Sequence, residues 1–267
     1  MSGPTAEVNL PGTVVLVTGG TRGIGAGIAR AFLCADAHVI VCGRAAPAPE
    51  QLAEHGGRHA QFIACDVRHP EAVETLVNRI VEEHGRLDVL VNNAGGTPSG
   101  NLADSSPRLI ERLMQLNLVA PLLCSQAANR VMQGQAQGGC IINIGSVAGV
   151  RPAPLTAAYG AAKAGLLHAT QSLAMEWGPK VRINAIIAGF VATENADEHY
   201  GGPEGIERIG QMFPLKRLAE PADVAAACLY LASPLARYVS GAQLAVHGGG
   251  EWPVYLYLAQ SQDFGKA

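Results

Sequence analysis

An α/β fold built on a doubly wound parallel sheet is what this 267-residue chain predicts. Three observations carry that expectation. Strand-like runs recur at 13–18, 38–42, 60–65, 88–92, 139–145, 181–187 and 242–247, and mostly helical patterns separate them. The first run leads at once into a glycine-rich turn and an alanine-rich helical pattern. Hydrophobic residues make up 48% of the chain and aromatics only 5%, the balance of Ala/Val/Ile/Leu-rich layers of helix and sheet. Alternating strands and helices imply right-handed crossovers, a seven-stranded parallel sheet and helices on both faces. With no linker, internal repeat or low-complexity tract, one domain spanning 1–267 is the simplest organisation.

The first element is 13-TVVLV-17, whose β-branched residues read as a strand, followed by 18-TGGTRGIG-25 and a helix. Gly19, Gly23 and Gly25 leave room for the backbone to approach a pyrophosphate, and the free N–H groups of the next helix attract it. An ordinary turn is the alternative at this point. The second strand ends as 39-VIVCGR-44 and the third leads into 64-ACDV-67. The fourth runs into 92-NNAG-95, and a helical stretch, 108-RLIERLMQLNLVAPLL-123, follows. The fifth strand delivers Ser146, and the sixth opens into 187-IAGFVAT-193. Ligands in such sheets lie beyond the carboxyl ends of the strands, where all these segments fall.

Between Ser146 and the sixth strand, 155-LTAAYGAAKAGLLHAT-170 places Tyr159 and Lys163 four residues apart, on one face of a helix. A free phenol has a pKa of about 10 and carries protons poorly at neutral pH. Lowering it by roughly three units needs about 4 kcal/mol, which one positive charge at about 4 Å supplies at an effective dielectric near 20. The pair is therefore suited to acid–base work, with Ser146 thirteen positions ahead of the tyrosine. An amphipathic core tyrosine beside a solvated lysine is the plainer alternative.

These residues resemble the short-chain dehydrogenase/reductase family, in its compact branch of about 250 residues, through nearly the whole chain. The family's T-G-x-x-x-G-x-G is found as Thr18 to Gly25, its N-N-A-G as 92-NNAG-95, its helical asparagine as Asn117, and its S…Y-x-x-x-K as Ser146, Tyr159 and Lys163. The resemblance implies a Rossmann-type fold and a hydride-transferring oxidoreductase that interconverts a ketone and a secondary alcohol. Ser146 would bond the substrate oxygen, Tyr159 would deliver the proton, and Lys163 would hold the ribose and lower the tyrosine's pKa. Asn117 would interrupt its helix with a bound water and complete a proton path.

The same resemblance assigns Gly19, Thr21, Arg22, Gly23, Ile24, Gly25, Asn93, Ala94, Gly95, Gly189, Val191 and Thr193 to the cofactor, together with Tyr159 and Lys163. Asp66 would accept a bond from the adenine amino group with Val67 against the ring, while Asn92 would brace the central strands. An acid at the end of the second strand would favour NAD. Here Gly43 stands at that place with Arg44 after it, and Arg22 approaches from the glycine loop, so NADP(H) is expected to be preferred over a still possible NAD(H). A strand-ending arginine in solvent is the alternative. Ala188 replaces the family's proline before Gly189, which would free the backbone around Val191. His247 replaces a usual aspartate and suggests no role.

The segment 194–217 is expected to be a substrate lid with Gly201, Gly202 and Gly205 as hinges and Met212 and Phe213 as apolar cover. It ends before the helix opened by 220-EPADVA-225. Pro152, Pro154 and Leu155 would form the opposite wall, and Arg151 could meet a substrate carboxylate or lie in solvent. A hydrophobic ketone, steroid-like or a 3-oxoacyl thioester, fits better than a sugar. The small-residue faces of 155–177, with Ala157, Ala161, Ala164 and Gly165, point to a homotetramer or homodimer, as the resemblance also implies. The tail 250–267, with Trp252, Tyr255, Leu256 and Tyr257, is expected to pack on a neighbouring subunit or over its own core.

Other classes are weaker. A net charge of −3 with no basic run argues against nucleic acid. Apolar runs are too short for a membrane span, and 1-MSGPTAEVNL-10 lacks signal-peptide character, so a cytoplasmic location is expected. The 6 cysteines have no C-x-x-C spacing, which favours buried reduced thiols and no metal; His55 and His59 are separated by helix-breaking Gly56 and Gly57. A non-catalytic dinucleotide-binding regulator retains no reason to keep Ser146, Tyr159 and Lys163 together. A nucleotide-sugar epimerase or dehydratase would carry a longer C-terminal domain, and related enoyl reductases usually space tyrosine and lysine more widely.

Overall fold

The computed structural model describes residues 8–253, 255 and 256. Its sheet has seven parallel strands, in the order β5-β2-β1-β6-β7-β8-β9. These are β1 (Val14–Thr18), β2 (His38–Gly43), β5 (Gln61–Ala64), β6 (Val89–Asn92), β7 (Gly139–Ser146), β8 (Val181–Ala188) and β9 (Gln243–Val246). Between β2 and β5 lies a small antiparallel hairpin, β3 (Glu54–His55) and β4 (Arg58–His59). Its Gly56 and Gly57 turn at φ 58 and 77, so His55 and His59 sit on a ribbon rather than a helix. The expected doubly wound sheet is present, with the reversal of strand order between β1 and β6.

Strand side chains alternate between two apolar layers. Val15 and Val17 of β1 join α1 (Gly23–Cys34) and α8 (Pro221–Ala232), whose Ile28, Phe32, Val224 and Leu231 are fully buried. Val14 and Leu16 face the other way, towards α2 (Pro70–His84) and a helix over Ala120–Gly134. Full burial of such an aliphatic or aromatic side chain contributes about 1.5–3 kcal/mol each. A strand apolar on both faces can only be central, which is why the valine-rich runs form the middle of the sheet.

The helical stretch expected at 108–123 is not continuous. α3 (Pro107–Met114) passes through a π-helical turn over Gln115–Val119 into α4 (Ala120–Gly134). Ser106 caps α3 by accepting the Leu109 amide at 3.2 Å. The long α5 (Ala157–Trp177) packs on β7 and β8, burying Ala162, Lys163, Leu166, Leu167 and Thr170. Ala157, Ala161, Ala164 and Met175 of this helix are exposed.

The segment 194–217 folds as two helices, α6 (Ala196–Tyr200) and α7 (Gly202–Gly210), and a closing turn in which Phe213 is buried. Of the tail call, residues 254 and 257–267 lie outside the described residues, as do residues 1–7 of the N-terminal call. Five of the cysteines are buried free thiols, while Cys34 is exposed. Among the described residues no helix is long and apolar enough to cross a membrane.

Candidate active site

At the carboxyl edge of the sheet, the loops after β1 and β6 are laced together by one hydroxyl and one amide. Thr18 Oγ1 accepts the amides of Asn93 and Ala94, each at 3.0 Å. Asn93 Nδ2 donates back to the Thr18 and Gly19 carbonyls, again at 3.0 Å. The crossing is so close that a Cβ on Gly25 would stand 2.3 Å from the Gly19 oxygen and 2.5 Å from Asn93 Nδ2. Only glycine fits there. Gly23 opens α1 at φ 54, and the first turn of that helix holds neither an acidic residue nor a side-chain cap. Its Gly23 amide instead donates to both oxygens of Glu194, at 3.0 and 3.2 Å, with Thr193 beside it. A carboxylate at this amide is what a helix N-terminus attracts, and the same donor and positive end suit a pyrophosphate. On that observation the residues present fit a dinucleotide.

Arg22 and Arg44 frame the next corner. β1 and β2 pair with Thr18 opposite Cys42, so the loops carrying Thr21, Arg22 and Ile24 on one side and Gly43 and Arg44 on the other leave the sheet together. Both arginines are exposed and neither has an ion-pair partner among the described residues. No carboxylate stands at Gly43, where an added Cβ would lie 4.0 Å from Thr21 Oγ1. Asp66 is clamped by Arg68, with Nε 2.9 Å from Oδ1 and Nη2 2.5 Å from Oδ2. That guanidinium holds the Asp66 pKa down at about 2, although burial opposes it. Val67 beside it is buried.

Asn92 braces the sheet as expected. Its Nδ2 reaches Ser125 Oγ and Asn143 Oδ1 at 2.8 Å each, and Asn143 continues to Thr170 at 2.9 Å. Asn117 is completely buried in the π-helical turn. Its Oδ1 accepts the Gly96 amide and its Nδ2 donates to the Gly96 and Leu113 carbonyls, all at 3.0 Å. The helix is thus interrupted as anticipated, but both hydrogens of the side-chain amide are engaged by the chain itself. A Cβ on Gly95 would lie 2.8 Å from Asn117 Oδ1 and 3.4 Å from Lys163 Nζ, which brings these groups to one point.

Ser146, Tyr159 and Lys163 converge there. Ser146, at the end of β7, accepts the Ala148 amide at 3.2 Å, and its hydroxyl favours ionisation of the Tyr159 phenol. Lys163 is 3% exposed; its Nζ lies 5.7 Å from the Tyr159 ring centre and donates to the Ile144 carbonyl at 2.7 Å. The electrostatics differ from the sequence expectation of a phenol acidified by its lysine. Burial raises the Tyr159 pKa above the ordinary tyrosine value, and only the Ser146 hydroxyl works against it. Burial likewise pulls Lys163 down to about 8. Both shifts have one physical cause, since removing water disfavours whichever form is charged. At pH 7 the lysine therefore remains mostly an ammonium and the tyrosine a phenol.

The sixth-strand loop is held more firmly than the missing proline suggested. β8 runs through Ala188, paired to Ser146 on one side and Val246 on the other, and the Gly189 amide meets the Val246 carbonyl at 3.0 Å. The ladder restrains the backbone that a proline ring would have restrained. Beyond it, Phe190 and Ala192 bond Ala219 at 2.9 and 2.8 Å, leaving the Val191 amide to face the lid. Tyr200 of α6 takes that amide on its hydroxyl. The Tyr200 ring packs on Phe190 at 5.5 Å between centres, and Phe213 meets Phe190 at 5.7 Å.

Arg151 is not free to meet a substrate carboxylate. It pairs with Glu251 through Nη2–Oε1 and through Nε–Oε2 at 3.3 Å, joining the wall after Ser146 to the segment after β9. A cavity of about 320 Å³ lies behind the lid, lined by Phe190, Phe213, Arg217, Asp223 and His247 and by none of Ser146, Tyr159 or Lys163. The Nδ1 of His247 is buried without a hydrogen-bond partner among the described residues. Sequence reasoning missed the contacts of Glu194, Tyr200 and Glu251. Glu194 and Glu251 join segments distant in the chain and Tyr200 reaches back nine residues to Val191, and no spacing or periodicity signals these contacts.

A family profile described as Enoyl-(Acyl carrier protein) reductase matches residues 19–251. L-rhamnose 1-dehydrogenase (NAD(P)(+)) of Azotobacter vinelandii is 38% identical over 88% of this chain and 95% of its own. The 3-oxoacyl-[acyl-carrier-protein] reductase of Vibrio cholerae is 35% identical over 91% of this chain and 98% of its own. Among solved structures, ligand-free aldohexose dehydrogenase of Thermoplasma acidophilum superposes with a TM-score of 0.81 at 30% identity, covering 89% of this chain and 93% of that one.

Proposed function

We propose, because this chain belongs to the short-chain dehydrogenase/reductase family, that it reduces a ketone to a secondary alcohol with NADPH and with Tyr159 as the proton donor. At the family level the chain is an oxidoreductase of the alcohol–ketone couple that uses NAD(P)(H). The observation that carries the finer reading is the meeting of the Tyr159 ring with the buried Lys163, whose Nζ lies 5.7 Å from the ring centre, beside a Ser146 hydroxyl that favours ionisation of the phenol.

A ketone oxygen placed between the two hydroxyls would receive a hydrogen bond from Ser146 and the proton of Tyr159. When bound, the nicotinamide supplies the hydride. Lys163, an ammonium at pH 7, would hold the ribose hydroxyls and stabilise the phenolate left after proton transfer. Asn117 keeps the Gly95–Gly96 turn against Lys163, and the π-helical break at its position opens the route by which a proton would return. Gly19, Thr21, Arg22, Gly23, Ile24 and Gly25 would hold the pyrophosphate and nearby ribose, with Asn93, Ala94 and Gly95 lining the middle of the cofactor. Gly189, Val191 and Thr193 would bind its nicotinamide half, and Asp66 and Val67 the adenine.

Preference for the 2′-phosphate is supported by two exposed guanidiniums, Arg22 and Arg44, which have no ion-pair partner among the described residues, around a strand end that carries no acid. A hydrophobic substrate is supported by Phe190 and Phe213 under the lid, exposed Pro152, Pro154 and Leu155 opposite, and the neutralisation of Arg151 by Glu251. The exposed small residues Ala157, Ala161 and Ala164 of α5 support association into a homodimer or homotetramer.

The test is to follow initial rates with NADPH and with NADH against 3-oxoacyl thioesters, steroid ketones, quinones and simple diketones. Faster turnover with NADPH is expected. Equal or faster use of NADH overturns the charge argument, and consumption of neither with any substrate overturns the reductase reading.

A further inference from the structure

We propose that Glu194 and Tyr200 form a latch in which the lid occupies two amides that a dinucleotide needs, so that the cofactor binds by displacing both. The inference rests on the dinucleotide site proposed above and concerns how that site is kept and opened. At one end, Glu194 places both carboxylate oxygens on the Gly23 amide at the start of α1. At the other, the Tyr200 hydroxyl takes the Val191 amide, which the strand-like pairing of Phe190 and Ala192 with Ala219 leaves facing the lid.

The occupants match the groups they stand in for. A carboxylate is an anion like a phosphate, and a phenol oxygen accepts an amide proton as a carboxamide oxygen does. A doubly charged pyrophosphate and a carboxylate cannot share one helix amide at about 3 Å without strong like-charge repulsion, so the first must expel the second. The exposed Arg22 next to Gly23 offers the phosphate a cation that Glu194 does not use.

Chain connectivity couples the two contacts. Glu194 lies two residues before the short α6 and Tyr200 is its last residue; the helix begins where the Ala196 amide bonds the Thr193 carbonyl at 2.9 Å. It ends at Gly201 and Gly202, with φ 81 and 74 and nothing within 4 Å of an added Cβ at either. A free pair of glycines lets α6 swing as a unit while α7 stays packed. Releasing Glu194 therefore loosens Tyr200, which also withdraws from its packing on Phe190.

Dissociation constants measured by fluorescence titration test this, using the whole protein with NADPH and with ADP-ribose, which has the pyrophosphate but no nicotinamide. Glu194→Gln is expected to bind both ligands about two- to fivefold more tightly, the range for one exposed carboxylate at a helix start. Glu194→Ala should do the same and guards against a residual amide contact. Tyr200→Phe should bind NADPH about two- to tenfold more tightly and ADP-ribose more tightly by a smaller factor, because the nicotinamide competes for the Val191 amide directly whereas the pyrophosphate gains only through the coupled release of Glu194. Equal constants in all proteins, or weaker binding in Glu194→Gln, overturn the latch and leave the function reading intact. Failure of the unaltered protein to bind any dinucleotide overturns both.

Discussion

Asn117 and Gly96 exchange a pair of hydrogen bonds across 21 residues of chain, amide to oxygen and amide to carbonyl, each 3.0 Å long. The pair fastens the loop after β6 to the π-helical turn and thereby sets the floor on which Lys163 rests. A completely buried side chain making three such bonds cannot be lost cheaply. Asn117→Ala should destabilise the fold by about 2–3 kcal/mol, since the Gly96 amide and two carbonyls lose their partner. Urea unfolding checks this; a loss under about 1 kcal/mol would mean that the turn is held by something else.

Tyr159 is the group whose removal separates chemistry from binding. Tyr159→Phe deletes the phenolic proton and the hydroxyl whose ionisation Ser146 favours, while leaving the ring in place. Turnover is expected to fall by roughly 10²–10⁴-fold, the usual contribution of a positioned general acid. NADPH affinity should stay within about threefold, because one hydroxyl among many contacts is lost. Retained ketone reduction would remove Tyr159 from the proposed mechanism.

Lys163 makes stability depend on pH in a predictable direction. Its folded pKa is depressed from 10.5 to about 8 by burial, so the unfolded chain binds more protons between those values. Below pH 8 burying the ammonium costs on the order of 3 kcal/mol, and that cost is relieved as pH rises from about 8 towards 10. Above 10 the raised Tyr159 pKa acts in the opposite sense, because the unfolded chain then loses the phenolic proton first. Lys163→Met, in cofactor-free protein, should therefore gain stability over the unaltered chain at pH 7 and lose that advantage by pH 10. Parallel pH profiles of melting temperature for the two proteins would contradict this.

Arg44 offers the sharpest handle on cofactor choice. It is exposed and lacks an ion-pair partner among the described residues, so Arg44→Asp should leave the fold intact. A carboxylate there would repel a 2′-phosphate and accept the ribose hydroxyls instead. The ratio of kcat/KM for NADPH over NADH is expected to drop by about tenfold or more. An unchanged ratio would assign the discrimination to Arg22 or abolish it.

Much of this was legible in the chain because it depends on neighbours in sequence. Apolar β-branched runs announced strands, and the glycines of 18–25 announced a tight turn between strand and helix; that Gly25 is also pressed against Asn93 emerged only in the fold. A separation of four residues sufficed to put Tyr159 and Lys163 on the same side of α5. The sign of their pKa shifts was another matter. Charge proximity can be read from spacing, but desolvation depends on how completely β7, β8 and the α3–α4 break close over the pair, and burial prevailed for both groups. The role of Ala188 likewise turned on strand pairing, which no single position reveals.

By itself, then, the sequence determined the sheet, the helix order and the membership of the reaction corner, because backbone propensity and apolar periodicity are local. Only the folded structure decided that Arg151 is neutralised by Glu251, that Asn117 spends its amide on Gly96, and that Glu194 and Tyr200 hold Gly23 and Val191. Those pairings join residues from 9 to 171 positions apart. Their partners are chosen by where the crossovers bring loops together at one edge of the sheet, a choice that no local pattern encodes.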